Sequence, residues 1–361
     1  MHSASSTFIN LAALSKAELA ALAAGWGWPR YRTAQLWQWL YRQRATSFAQ
    51  MTNLSAPIRE QLAERAAIDW PRVARRQIAQ DGTRKLLIEL ADGRRIESVL
   101  IPDEGRLTLC LSTQVGCTLD CGFCLTGTMG LARNLKAYEM VGQWHAAQQE
   151  LEDHPDGLPR RLTNLVFMGM GEPLANLAQL AEALTRLTDP HGIAFPPRRI
   201  TVSTAGLAPQ IAELGRFRPE VNLAVSLNAA DDATRAKIMP LAARYSIDEL
   251  LAACRAYPLG PRRFITFEYV LLDHINDSEE DARRLARLLR GLRAKVNLIP
   301  WNPFPGAPYG RPADARVLRF QTILVDHHIP TYIRKSKGRD ILAACGQLHS
   351  AQEAPVTIAA G

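Results

Sequence analysis

Along the first seventy residues, apolar side chains recur at helical spacing. Leu11, Leu14 and Leu19 open one amphipathic stretch, Leu36, Trp37, Leu40 and Tyr41 make a second, and residues 58–62 a third. Pro71 ends this helical module. The period then shortens. Residues 86–90 and 96–101 are strand-like runs, and Asp92-Gly93 between them is a dipeptide favoured in tight hairpins, with Asp81-Gly82 marking the turn before. Residues 73–105 therefore read as a β-meander extension.

After residue 105, strand patterns alternate with helical ones. Strands are predicted over 107–112, 165–168, 200–203, 223–227, 265–271 and 296–300, and helices over 138–150, 177–187, 247–257, 278–292 and 313–327. Such alternation predicts parallel strands joined by crossover helices. Six units curve a sheet toward a barrel without completing the eight-stranded form. The expected fold class is α/β: a small N-terminal helical domain over 1–72, the β extension over 73–105, a partial (βα)6 barrel over 106–348 and a disordered tail over 349–361. Functional residues should gather where the strands end and the strand-to-helix loops converge.

Composition adds bounds. The chain has 361 residues, 47% hydrophobic and 22% charged, enough for a large core and a second small domain. Its apolar runs fall far short of the roughly 20 residues needed to span a bilayer, and Lys16 and Glu18 interrupt the first helical stretch where a secretory core would be apolar. A cytoplasmic protein with no membrane association is expected. The net charge of +8 suits a polyanionic partner, and basic residues cluster at Arg72, Arg75 and Arg76, at Arg160 and Arg161, at Arg262 and Arg263, and at Arg334, Lys335, Lys337 and Arg339. Charge alone fits solvated basic faces equally well.

Of six cysteines, three crowd into eight residues: Cys117, Cys121 and Cys124, in the pattern C-x3-C-x2-C, directly after the first predicted barrel strand. Gly116, Gly122 and Gly127 let the backbone wrap tightly there. Three thiolates are one short of a closed zinc site, and no His or Cys nearby in sequence completes it. A [4Fe–4S] cluster held by three cysteines leaves one iron open to a ligand. This spacing, placed after the first strand of a β/α series, resembles the radical S-adenosylmethionine superfamily. Met168-Gly169-Met170-Gly171-Glu172-Pro173 ends the second strand and is similar to that superfamily's Gly-Glu-Pro element, which receives the amino group of the methionine moiety; in isolation it reads as a simple Gly/Pro turn.

Further segments narrow the resemblance: Gly130-Leu131-Ala132-Arg133-Asn134-Leu135, Ser226-Leu227-Asn228-Ala229, the run from Asn297 to Gly306 containing Trp301-Asn302-Pro303, and Ala344-Cys345-Gly346-Gln347-Leu348. With Tyr31-Arg32 and Met51-Thr52-Asn53-Leu54 in the helical module, the chain resembles the RlmN/Cfr family of 23S rRNA adenine methyltransferases along nearly its whole length. The resemblance implies the following. Cys117, Cys121 and Cys124 hold one [4Fe–4S] cluster, and Gly171, Glu172, Ser203, Ser226, Leu227, Asn228 and Asn302 bind S-adenosyl-L-methionine. Cys345 is methylated on sulfur by one S-adenosylmethionine, and an adenosyl radical from a second takes hydrogen from that methyl, whose carbon adds to the adenine ring. Glu97 accepts the ring proton, and Cys110 attacks the Cys345 sulfur to release the product and leave a disulfide for a reductant to reset. Carbon 2 of adenine is electrophilic, so an ordinary nucleophilic attack on a methyl sulfonium fails there and a radical route is required. The implied partners are 23S rRNA before full assembly, transfer RNA modified at the adenosine 3′ to the anticodon, and an electron donor such as flavodoxin or ferredoxin, with the enzyme a monomer. The target base must be unstacked to reach a barrel interior.

Pattern alone reads these residues differently. Cys110, between Leu109 and Leu111, is a buried structural thiol; Glu97 is an exposed strand position; Cys345 fits either close packing or exposure; Cys254 and Trp301 are core. Two positions depart from the family pattern, Asn228 where His is usual and Leu125 where a smaller residue is common. Three rival functions remain: a Cfr-like enzyme acting on adenine carbon 8, which the 301–306 stretch fits less well; a non-catalytic RNA-binding protein with a structural metal; and an activating-type radical enzyme acting on a protein glycine, which has no need of Cys110 and Cys345.

Overall fold

The computed structural model describes residues 8–155 and 157–350. Ten strands form one mixed sheet. In spatial order they are Thr331–Ile333, Ala294–Pro300, Ile265–Leu271, Asn222–Ser226, Ile200–Thr204, Asn164–Phe167, Arg106–Cys110, Arg95–Asp103, Arg84–Glu89 and Arg72–Ile78. The first seven pair in parallel and the last three are an antiparallel meander continuing from the barrel's first strand. The hairpin predicted at Asp92-Gly93 joins Arg84–Glu89 to Arg95–Asp103, with Gly93 at φ +77°. Barrel strands carry Val, Ile, Leu and Phe on both faces because helices cover one side and the barrel interior the other. Leu109, Leu165, Phe167, Val202, Leu223, Val225, Phe267 and Val296 are buried in one continuous core.

Two features differ from the sequence reading. A seventh parallel strand, Thr331–Ile333, pairs with Ala294–Pro300; at three residues it is too short for a periodicity signal. Two short helices, Ala208–Leu214 and Asp232–Ile238, were also not anticipated. The longer helices lie within a few residues of expectation, as with Ala137–Asp153 and Asp314–Asp326.

The N-terminal module comprises Lys16–Gly25, opened by a Ser15/Glu18 capping box, then Tyr31–Trp37 running on as a wider helical turn to Arg42, and Ala56–Arg65. It docks on the barrel through a buried arginine. Arg186, on the helix Leu177–Thr188, donates to the carbonyl of Ala12 at 3.0 Å and to the Tyr41 hydroxyl at 2.9 Å, and Lys16 pairs with Asp189 at 2.7 Å. Removing either partner from such a buried set leaves an unsatisfied group, which costs more than the bond itself contributes.

Candidate active site

The three clustered cysteines sit on a loop closed at its neck. Gln114–Gly116 pairs antiparallel with Leu131–Asn134, and the Cys117 amide donates to the Gly130 carbonyl at 3.0 Å. Gly116 has φ +82°, and a Cβ there would lie 1.9 Å from the Gly130 oxygen, so only glycine lets the neck close. Within the loop, Cys124 N donates to Cys121 O and Gly127 N to Cys124 O, both at 3.0 Å, bending the chain back on itself. All three thiols face one cavity at the carboxyl ends of the barrel strands. Burial pushes Cys117 up to about 11 and Cys121 well above the usual thiol range; Cys124 is also raised by burial, against the amides of Gly127 and Thr126. The thiols also raise one another, as neighbours around a shared space do. Trp301, buried, donates its indole N–H to the Phe123 carbonyl at 2.9 Å and props the loop from below, a packing role.

Across the cavity, the second barrel strand ends in the turn 169–173. Gly171 has φ +95°, and an added Cβ would sit 2.5 Å from that of Gln114. Glu172 is buried, accepting from the amides of Leu174 at 3.0 Å and Ala205 at 2.8 Å, so its carboxylate ties the second strand end to the third. Burial pushes this carboxyl up to about 7 against those amides and the Thr204 hydroxyl. With the side chain so engaged, the backbone of the turn is what remains for a ligand.

Ser203, Ser226, Asn228 and Asn302 also line the cavity; Leu227 does not. Its side chain is fully buried elsewhere, and its carbonyl accepts from Arg235, a buried arginine that also bonds Ala205 O at 2.6 Å and so braces the neighbouring strand ends. Asn228 adopts φ +59°, a conformation Asn tolerates, and its side chain accepts from Val270 N at 2.9 Å. That carboxamide is thus engaged within the protein. Leu125, the other departure, donates its amide to Gly346 O at 2.7 Å and packs in the small apolar cluster beneath the loop.

The C-terminal segment is stapled to the cysteine loop by that bond and by Thr126 Oγ1 to Leu348 O at 2.6 Å, and to the loop after the strand Ala294–Pro300 by Gln347 Nε2 to Pro303 O at 2.7 Å. Cys345 is thereby held, exposed, at the junction of the main cavity and a smaller one lined also by Cys110. Cys110 is buried, as its strand pattern predicts, and burial, with Cys345 nearby, pushes its thiol up to about 12. Cys254 lies in the core.

Glu97 departs from its reading as an exposed strand position. It is buried, pairs with Lys85 Nζ at 3.1 Å and accepts from the His349 amide at 2.8 Å. It lines neither cavity; Val99, two residues along the same strand face, lines the smaller one. His349 is therefore ordered against the site although it falls in the predicted tail; residues 351–361 lie outside the described residues. Arg334, read as part of a phosphate-facing cluster, turns inward: it lines both cavities and sits 3.9 Å from Glu268, and the neighbouring Cys345, with Glu268 and Cys110, favours its charged form against burial. Glu268 escaped the sequence reading, though a carboxylate amid the apolar run 265–271 was a visible signal.

Residues 9–68 match the model of the ribosomal RNA large subunit methyltransferase N-terminal domain, and residues 111–286 that of the radical SAM superfamily. The crystal structure of a radical SAM methyltransferase from Sphaerobacter thermophilus superposes with a TM-score of 0.88 at 47% identity, covering 95% of this chain and 100% of that one. A dual-specificity RNA methyltransferase RlmN from Desulfosudis oleivorans is 52% identical, across 88% of this chain and 84% of its own length. Another, from Syntrophus aciditrophicus, is 48% identical across 94% of this chain and 96% of its own. The chain belongs to the RlmN family.

RlmN-type enzymes are radical SAM methyltransferases, and the superfamily implies S-adenosylmethionine with a [4Fe–4S] cluster. The residues fit both. Three half-buried thiols line one cavity, with backbone amides directed at Cys117 and Cys124, the hydrogen bonding that thiolate ligands of a cluster need. Among the described residues, no three His, Cys, Asp or Glu side chains are grouped for a single metal ion. Two residues that line the cavity beside the thiols, Asn302 and Glu268, each keep a buried side-chain oxygen with no hydrogen-bond partner, Oδ1 and Oε2, polar groups of the kind a polar cofactor needs.

Proposed function

We propose that this RlmN-family methyltransferase methylates carbon 2 of an adenosine in 23S rRNA, and of the adenosine 3′ to the anticodon in some transfer RNAs, with Cys345 carrying the methyl group. The observation that carries the reading is the position of Cys345, held between the cavity of the three clustered thiols and the cavity of Cys110. Cys117, Cys121 and Cys124 would hold the cluster, while the turn at Gly171 and Glu172, with Ser203, Ser226 and Asn302, would hold S-adenosylmethionine. When bound, the cluster supplies one-electron chemistry and S-adenosylmethionine the methyl group.

The chain's own residues do the rest. Cys345 takes the methyl on its sulfur; one hydrogen of that methyl would be lost to the radical that bound S-adenosylmethionine would supply, and the carbon so freed of a hydrogen bonds to carbon 2, tethering the RNA to Cys345. Glu97 takes the proton from carbon 2. Its pair with Lys85 and the His349 amide favours the carboxylate, opposing the burial that raises it. Because Glu97 is turned toward those partners, entry of the base must open the Lys85 side of the strand or draw the carboxylate round. Cys110 then attacks the Cys345 sulfur, breaking its S–C bond so that the carbon leaves with the base and takes up a proton to become the methyl group, and the resulting Cys110–Cys345 disulfide is reset by an external dithiol. Electrons come from a protein donor of the flavodoxin or ferredoxin type, and the enzyme works as a cytoplasmic monomer. No helix among the described residues is long and apolar enough to cross a membrane.

The test is anaerobic reconstitution followed by assay on ribosomal and transfer RNA transcripts separately, with mass mapping of the modified base. Methyl at carbon 2 supports the reading; methyl at carbon 8 moves the enzyme to the Cfr type.

A further inference from the structure

Arg235 is a cation that the fold encloses without an acidic partner. It stands on the short helix Asp232–Ile238, and its side chain is fully buried. Nε donates to Leu227 O at 3.1 Å, Nη1 to Tyr245 O at 3.3 Å and Nη2 to Ala205 O at 2.6 Å, and no carboxylate among the described residues forms an ion pair with it. Arg334, by contrast, has the Glu268 carboxylate at 3.9 Å. Asp232, on the same helix as Arg235, is exposed and accepts from Ile247 N at 2.8 Å. Bracing carbonyls does not itself require a charge, since a neutral amide donates as well. Burying an unpaired charge is costly, so a fold that keeps one has an anion for it to meet.

The neighbours of the guanidinium say where that anion lies. Ala205 lines the cavity of the clustered cysteines, and Leu227 falls between two residues that do, Ser226 and Asn228, so Arg235 stands one layer behind the cavity wall. One turn along the same helix, the Ile238 carbonyl accepts from the amide of Gly122 at 3.1 Å, next to Cys121. Burial works against the Arg235 charge, and Asp232 and the Cys121 thiolate favour it. Three thiolates around a [4Fe–4S] cluster leave such a site with net negative charge, and reduction deepens it, so a fixed cation behind the wall favours the reduced state. Salt screens little across a dry wall. We propose that Arg235 is the buried counter-charge of the cluster and raises its reduction potential through the cavity wall, an inference that rests on the cluster reading above.

The experiment uses the anaerobically reconstituted holoenzyme without S-adenosylmethionine or RNA, and reads the midpoint potential of the cluster by dithionite titration followed with electron paramagnetic resonance. Unit charges on the order of 10 Å apart, at an effective dielectric of about 20, change an equilibrium about tenfold. Arg235→Gln keeps donors for the carbonyls and loses the charge, so reduction should become about tenfold less favourable, a midpoint about 59 mV lower for one electron. Arg235→Lys keeps the charge and should stay close to the parent midpoint. A merely bracing arginine would leave both midpoints at the parent value or shift them alike. An unchanged midpoint in Arg235→Gln, or a fall as large in Arg235→Lys, would overturn the assignment. Should Arg235→Gln not fold, Arg235→Lys decides by itself: a parent-like midpoint supports the counter-charge, and a reduction constant lowered about tenfold contradicts it. Unaltered protein that took up no iron and sulfide would instead bring down the cluster reading.

Discussion

Replacing Gly116 by alanine tests whether the loop neck holds the cysteines in place. The new Cβ would lie 1.9 Å from the Gly130 carbonyl oxygen, and real Cβ contacts essentially never fall below 3.0 Å, so one backbone must retreat by about 1.1 Å, the difference between these two distances. The left-handed φ of +82° adds about 1–2 kcal/mol for a residue with a side chain. Retreat also breaks the Cys117 amide bond to Gly130, worth about 1 kcal/mol. The sum, about 2–3 kcal/mol, falls on a two-strand neck and not on the ten-stranded sheet. Gly116→Ala should therefore fold, with melting lowered by a few degrees, yet bind less iron and sulfide per chain after anaerobic reconstitution and show weaker visible cluster absorption. A variant that loads iron as fully as the unaltered protein would refute the claim that the closed neck positions Cys117.

Other perturbations separate the remaining roles. Cys345→Ala should abolish RNA methylation with the cluster spectrum intact, whereas Cys110→Ala should accumulate protein crosslinked to RNA, visible on denaturing gels. Glu172 titrates near 7 in the folded protein against 4.5 when exposed, so its stabilising contribution is complete below about 4.5 and lost as pH rises through 7. Glu172→Gln should flatten the fall in melting temperature across that window, an effect of about 3 kcal/mol at most; a slope unchanged from the parent protein would contradict the burial argument. Arg186→Met should cost about 2–4 kcal/mol by orphaning Ala12 O and the Tyr41 hydroxyl, and should speed proteolysis in the N-terminal module; unchanged digestion would mean that the module docks by other contacts.

Much of this architecture was legible because it is periodic. The six longer barrel strands and their helices announce themselves through apolar runs and helical spacing, and Asp92-Gly93 through turn chemistry. Thr331–Ile333 was not legible: three residues carry no period, and only pairing with Ala294–Pro300 makes them a strand. The clustered cysteines and the Gly171 turn could be read because their spacing is local. Glu97 was misplaced for the opposite reason. Its burial depends on Lys85 across the sheet and on the His349 amide 252 residues away, contacts no local pattern encodes. Arg334 looked like one more surface arginine beside Lys335 and Lys337, and only the short last strand turns it toward the thiols.

The central claim is that the methyl group reaches RNA by way of Cys345. Protein first methylated with unlabelled S-adenosylmethionine, freed of excess and then given methyl-deuterated S-adenosylmethionine with RNA, allows a single-turnover reading by mass spectrometry. RNA from the first turnover should carry the unlabelled methyl, with deuterated methyl appearing afterwards on the Cys345 peptide. Deuterated methyl in the first RNA product, with Cys345 unmodified, would contradict the account.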